Sequence, residues 1–350
     1  MEEDASGTPR CKKRPSGIHS GGGALGLAER KQSGRIVRGS IRMLRGSQRE
    51  LVEGDLVDPQ VARRAVQGCE VVYNALGRTG DYGTFDLYHR PNVLTTESVL
   101  AAAIGAGVRR IVHASSYMVS IGGSFHHWRG GIIDDQTPEP SFYGWDFYGR
   151  SKVAAERAVL QQQHQLEVVP LRLGWVYGPR DRMTLPGLVK MLQSSQGLIF
   201  GDGRNRLALT YAADIADAFL RAADPSVPAG RPLVVAGAAN GQPVTQPDYL
   251  YAIADQVGAP RPTQQLPVAI AVTLGTILEA TWHVLRIQQR PLITSFAAHL
   301  LGRDQVLDAS SGERALGWAP RTTFADGIRQ TLAWLEQERA LSGVLEGAPA

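Results

Sequence analysis

From Leu51 onward, short runs of β-branched and apolar residues alternate with stretches of helical spacing. That alternation restricts the chain to a mainly parallel sheet covered by helices on both faces. The spacing predicts strands over 51–53, 71–74, 110–114 and 168–173, with helices over 59–66, 93–104 and 148–162 between them. After Gly178-Pro179 the pattern turns mostly helical, over 185–192, 213–222, 247–257, 266–285 and 324–336, with one further strand at 232–236. No repeat of 20 to 50 residues is visible, which excludes solenoids and propellers. The expected fold is α/β, a doubly wound parallel sheet with a smaller, mostly helical C-terminal lobe facing the substrate. Its expected division is 34–180 for the nucleotide-binding part and 181–340 for the lobe, some segments of which return to the core sheet.

The 350 residues are 43% hydrophobic and 20% charged, values of an ordinary globular chain. Cys11 and Cys69 stand far apart without metal-ligand spacing, so neither a disulfide framework nor a metal site is expected, and a reducing cytoplasm fits. Of the net charge of +4, residues 1–50 carry +6, from eleven Lys/Arg against five Asp/Glu, which leaves −2 for the rest. The basic arm has no helical face and no interleaved aromatics, so nucleic acid is not an expected partner. The first thirty residues lack the apolar core of a secretory signal.

Tyr148-Gly-Arg-Ser-Lys152 places a phenol and an ammonium four residues apart, on one face of a helix. A phenol is a poor base at neutral pH, and a nearby ammonium is expected to lower its pKa. Taken alone, the pair also fits a solvated helix face. Ala114-Ser115-Ser116 ends a strand some thirty residues earlier, where ligands of such sheets gather, and Ser116 can donate to a substrate oxygen while Tyr148 exchanges its proton. Gly54-Asp55-Leu56 offers a carboxylate to an adenine amino group, with Leu56 beside the ring. Asn74-Ala75-Leu76-Gly77 ends the next strand in residues that let a dinucleotide approach the sheet edge.

In order along the chain, these motifs are joined by Asn92-Val93-Leu94-Thr95-Thr96, Arg172-Leu173-Gly174-Trp175-Val176-Tyr177-Gly178-Pro179 and Tyr211-Ala-Ala-Asp214-Ile215-Ala216. The run from Leu51 to about Leu335 thereby resembles the extended short-chain dehydrogenase/reductase family, also called the NAD-dependent epimerase/dehydratase family. Gly80-Asp81-Tyr82-Gly83, Phe85-Asp86-Leu87-Tyr88 and Leu316-Gly317-Trp318-Ala319-Pro320 are similar to its branch of 3β-hydroxysteroid and sterol-4-carboxylate 3-dehydrogenases. The resemblance implies a Rossmann-like fold and a catalytic trio of Ser116, Tyr148 and Lys152, with Lys152 also holding the nicotinamide ribose. Cofactor contacts are expected from Asp55, Leu56, Asn74, Ala75, Leu76, Ala114, Lys152 and Leu173, and a homodimer is the expected assembly.

The family opens with a buried strand and T-G-x-x-G-x-x-G, whose backbone binds the pyrophosphate. Here Arg10-Cys-Lys-Lys-Arg-Pro-Ser16 stands where the strand belongs, and Ser20 replaces the middle glycine. Four basic residues and Pro15 do not make a central strand. Residues 1–33 are therefore expected to be disordered or the product of a frame or start error. Gly34-Arg35-Ile36-Val37-Arg38 is expected to be the family's second strand, and Arg42 after it favours NADP over NAD through the 2′-phosphate.

The expected activity is hydride transfer between a nicotinamide and a secondary alcohol or ketone of a hydrophobic, alicyclic or sterol-like substrate. The alternatives are a nucleotide-sugar epimerase or dehydratase, and a non-catalytic binding protein without a working Gly-rich loop. Residues 266–285, with only Glu279 charged, are either a buried helix or an interfacial one that makes peripheral contact with a membrane and admits lipid-like substrates.

Overall fold

A computed structural model describes residues 52–121, 132–137 and 146–346, with side chains to residue 338. Residues 1–33, the strand expected at 34–38 and Arg42 lie outside the described residues.

Four parallel strands form the central sheet of the described residues. β1 (Val71–Asn74), β2 (Arg110–Ser116), β3 (Glu167–Leu173) and β4 (Leu233–Val235) lie side by side in that order. Helix α1 (Pro59–Val66) precedes β1, with Asp58 capping its start by accepting from the Gln60 N–H at 2.8 Å. Between β1 and β2 run α2 (Phe85–His89), a π-helical turn (Arg90–Leu94) and α3 (Thr95–Gly105). The helix expected at 93–104 is thus split by a wider turn, which carries Asn92 into the interior. Helix α4 (Phe147–Gln161) connects β2 to β3, and α5 (Ala212–Arg221) precedes β4.

The strand expected at 51–53 does not form over its described residues. Val52 and Glu53 are irregular, half-buried and exposed, and Gly54 turns the chain directly against Val61 of α1. A three-residue run with one exposed carboxylate has too little to bury to hold a strand there.

The pleat sorts side chains into two layers. Ile111 and Val168 turn toward Ala62 and Val66 of α1, Val99, Leu100 and Ala103 of α3, and Val159 of α4. One residue on, Val112, Ala114, Val169 and Leu171 turn toward Ile215, Ala218 and Phe219 of α5, together with Trp318. A second core fills the lobe, where Tyr177 packs against Tyr211, Tyr249 and Phe324 at ring distances of 5.6, 6.5 and 5.9 Å. The long run expected at 266–285 becomes α6 (Val268–Val284), which buries Ala271, Gly275 and Glu279 against α7 (Ser295–Gly302). The last helix, α8 (Phe324–Glu346), runs well past the expected 336.

At the amino end of β2, the buried Arg110 gathers the chain on both sides of the sheet. It bonds Glu167 at 2.7 Å and donates to the carbonyls of Ala222, Asp224 and Val227 at 2.9, 2.7 and 3.0 Å. Six residues separate Arg110 from Ser116, roughly 20 Å along a strand. Arg110→Met is therefore expected to cost about 2–4 kcal/mol of stability in urea unfolding. The same variant should bind nicotinamide nucleotide with wild-type affinity, because the lost contacts lie at the other end of the sheet.

Candidate active site

Helix α4 starts beside the carboxyl ends of β1 and β2 because Asp146 caps it, accepting from the Gly149 N–H at 2.8 Å. Tyr148 and Lys152 follow one turn apart. The Tyr148 phenol lies near the Ser116 hydroxyl at the end of β2, close enough for that hydroxyl to bear on its titration, and Ser116 Oγ accepts from the Met118 N–H at 3.2 Å. Lys152 Nζ donates to the Ala114 carbonyl at 2.8 Å. The three residues singled out from the sequence are thus brought together. Tyr88 of α2 adds an edge-on ring 6.3 Å from Tyr148.

The electrostatics correct one expectation. Burial pushes the Tyr148 phenol up to about 12, with the Ser116 hydroxyl opposing the rise and Asp146 adding to it. Burial dominates over any effect of the Lys152 ammonium, which is turned to the Ala114 carbonyl. Lys152 is itself pulled down to about 8 by burial, against the opposing charge of Glu156 one turn later on α4. Glu156 is in turn buried and paired with Arg172 at 2.8 Å and with the Ser115 hydroxyl.

Behind the trio runs a buried polar chain, most of whose members the sequence reading did not assign to the site. His113 Nδ1 lies 3.1 Å from Asn74 Nδ2, which also reaches Thr96 Oγ1 at 3.3 Å. Thr96 donates to the Asn92 carbonyl at 2.7 Å. Asn92 accepts from the Arg78 N–H at 2.6 Å and donates to the Arg78 carbonyl at 3.0 Å and to Ser151 Oγ at 2.7 Å. Ser151 closes the chain on the Tyr148 carbonyl at 2.7 Å. The Asn92 motif was a signal for that member, whereas nothing in the sequence marks His113, which looks like any strand residue. Burial and the Lys152 charge pull His113 down to about 3, so the ring is neutral, and its Nε2 has no hydrogen-bond partner among the described residues.

The residues expected at a dinucleotide fall into two groups. Asn74, Ala75, Leu76, Ala114 and Leu173 cluster at the carboxyl ends of β1, β2 and β3, where the Leu173 carbonyl accepts from the Tyr117 N–H at 3.0 Å. Asp55 instead pairs with Arg90 and accepts from the Val57 N–H at 2.9 Å, while Leu56 packs on the core under α1 and α3. Two features fit a bound nicotinamide nucleotide. A side-chain carbon on Gly77 would lie 2.9 Å from Asn92 Oδ1 and 3.5 Å from Lys152 Nζ, so backbone alone borders the ammonium there. Of the three Lys152 N–H groups, the Ala114 carbonyl takes one, which leaves donors for sugar hydroxyls.

The family described as "NAD dependent epimerase/dehydratase family" matches residues 21–236, beginning inside the segment 1–33 that the sequence sets apart. Among curated proteins, the chain is 30% identical over 290 residues to a 2-alkyl-3-oxoalkanoate reductase of Stenotrophomonas maltophilia, covering 81% of this chain and 85% of that one. It is 28% identical to a 4-hydroxy-2-methyl-3-oxo-4-farnesyl-3,4-dihydroquinoline-1-oxide ketoreductase of Stigmatella aurantiaca, at 89% and 93% coverage. A sterol-4-alpha-carboxylate 3-dehydrogenase (decarboxylating) of Schizosaccharomyces pombe is 28% identical at 73% and 74%, in line with the branch resemblance. Among solved structures, UDP-glucuronic acid 4-epimerase from Bacillus cereus with NAD superposes with a TM-score of 0.61 at 19% identity, covering 81% of this chain and 80% of that one. These likenesses and the parallel sheet agree: the chain belongs to the NAD dependent epimerase/dehydratase family and is an enzyme of the extended short-chain dehydrogenase/reductase type.

Proposed function

We propose that this enzyme reduces a ketone, or oxidises the matching secondary alcohol, on a hydrophobic, alicyclic or sterol-like substrate, with Ser116, Tyr148 and Lys152 as its catalytic residues. The observation that carries the reading is the convergence of Tyr148 and Ser116 at the carboxyl end of β2, with the Lys152 ammonium buried there and held by the Ala114 carbonyl. The relatives support the substrate class, since their names specify an oxoalkanoate, a farnesylated quinoline oxide and a sterol carboxylate. Peripheral contact with a membrane belongs to the same reading, because such substrates partition into lipid.

When bound, the nicotinamide supplies or accepts a hydride at its C4. Ser116 holds the substrate oxygen through its hydroxyl, and Tyr148 exchanges a proton with that oxygen. With its phenol pushed up to about 12, Tyr148 is protonated at neutral pH and set to give its proton, which suits the reductive direction. Lys152 binds the ribose hydroxyls and so fixes the nucleotide beside Tyr148. The nucleotide is NAD or NADP; Arg42 keeps a preference for NADP as a proposal, which competition between NADH and NADPH for the purified chain decides.

Tyr148→Phe keeps the ring but not the proton, so turnover should fall by about 10²–10⁴ while nucleotide affinity stays nearly unchanged. Wild-type turnover in that variant would sink the assignment. Activity confined to UDP- or dTDP-sugars would overturn the substrate class instead. Lys152→Met separates stability from function. Below the depressed folded value of about 8 the buried ammonium burdens the native state in full; between 8 and the ordinary 10.5 that burden is lost as pH rises. The variant should therefore be more stable than wild type at pH 7, by up to about 3 kcal/mol, and lose that advantage as pH rises toward 10.5. Nucleotide affinity and turnover should both drop. Equal melting temperatures at pH 7 would show that the ammonium is not held at a cost.

A further inference from the structure

Helix α6 has its residue sizes inverted relative to an ordinary core helix. Its fully buried positions are Ala271, Gly275 and Glu279, with Val268 and Val272 partly buried beside them, and a side-chain carbon on Gly275 would lie 2.5 Å from the Ser295 backbone nitrogen. Its large residues Ile270, Leu274 and Ile277 point outward at four- and three-residue spacing, followed by Val284 and Leu285. Of the nine large apolar side chains exposed among the described residues, six lie between Ile270 and Leu292, and Val284 and Leu292 are 81% and 72% exposed. A patch so concentrated marks an interaction surface.

The chemistry of this face selects its occupant. Glu279, the one charged residue of α6, is turned inward and accepts from the Ser295 hydroxyl at 2.6 Å. Thr273, Thr276 and Thr281 are exposed, yet each hydroxyl donates to the carbonyl four residues back, at 2.8 Å, leaving the outward face without an unmet polar group. Such internal satisfaction is what a hydrocarbon surrounding demands. Beyond the helix stands Arg286, exposed, while Arg290 is already paired with Asp81, and the outward face of α6 itself carries no carboxylate to oppose an anionic headgroup. No helix among the described residues is long and apolar enough to cross a membrane, and α6 is about 25 Å long.

The face also leads to the site. Tyr82 donates to the Ile287 carbonyl at 2.9 Å and its ring meets His283 at 5.1 Å. Asp81 pairs with Arg290 at 2.7 Å and accepts from the Thr294 hydroxyl at 2.6 Å. Tyr88, whose hydroxyl donates to the Tyr82 carbonyl at 2.7 Å, is the ring that meets Tyr148.

We propose that the outward face of α6 docks flat on an anionic lipid surface and sets the Asp81–Tyr82 loop, and with it the mouth of the site, at the hydrocarbon boundary. This rests on the reading of a hydrophobic substrate and adds the route by which it arrives. The test floats the full chain on phosphatidylcholine vesicles with and without phosphatidylglycerol, and in parallel follows turnover of a water-soluble alicyclic ketone and the oligomeric state by sedimentation. The wild type should float, more so with phosphatidylglycerol. Leu274→Glu and Ile277→Glu should each cut the bound fraction at least ~10-fold and leave turnover of the soluble ketone unchanged. Thr276→Val should float as well as the wild type, since its hydroxyl has no outside partner to lose. Absence of flotation on either vesicle would overturn the docking, as would an oligomer that Leu274→Glu and Ile277→Glu dissolve, which would make a second copy the occupant. Flotation without ketone turnover supports the docking and sinks only the ketone reading.

Discussion

A positive charge held out of water at the carboxyl end of the sheet is the constraint around which the site is organised. An ammonium as buried as that of Lys152 survives only where its surroundings compensate it, and the compensation is partial: one carbonyl, from Ala114, and the field of Glu156 a turn away. Glu156 is in turn held by Arg172 and the Ser115 hydroxyl. Arg172 reaches on to the Ser120 hydroxyl at 3.1 Å and the Asp135 carbonyl at 3.3 Å, so the segment 132–137 is tied into the same assembly. His113, facing the ammonium from β2, stays neutral, and a second cation is avoided. What remains unmet is the set of Lys152 donors that the Ala114 carbonyl does not take.

The sheet keeps stability and chemistry at opposite ends. At the amino end, Arg110 spends four of its five donors on Glu167 and three carbonyls. At the carboxyl end, the His113 Nε2 is unpartnered among the described residues and a phenol is held at about 12. An end with such unmet groups is where binding has energy to gain, as expected where ligands meet the strand ends of a parallel sheet.

How much of this was legible in the sequence depended on the range over which each signal acts. Local spacing was sufficient for α1, α4 and β1, and for Tyr148 and Lys152 on one helix face, since those relations are set within a turn or a strand. It failed at Val52 and Glu53, which are irregular, with the Glu53 carboxylate exposed. It also failed for the Tyr148 phenol, because spacing shows that an ammonium is near but not that it points at the Ala114 carbonyl, nor that burial outweighs it. His113 was invisible, and the linkage of Asn74, Thr96, Asn92 and Ser151 into one chain could not be read even though Asn74 and the Asn92 motif stood out, because these residues lie on five separate elements that only the fold brings together.

Residues 266–285 show why composition could not choose between core and interface. Both readings need an uncharged, apolar helix, and the choice turns on which residues carry the packing. Here the small ones do. Ala271 and Gly275 let α6 approach the Thr294–Ser295 backbone so closely that no larger residue fits between them, and Ala298 repeats the device from α7. With Gly275 this close to its neighbour and Val268 and Val272 packed beside it, Ile270, Leu274 and Ile277 are left on the outer face. A helix meant only for the core would place leucine inward and alanine outward. The reversed order commits α6 to a second contact on its outer face, and the clamp of Asp81 and Tyr82 on the segment that follows it couples that contact to the mouth of the site.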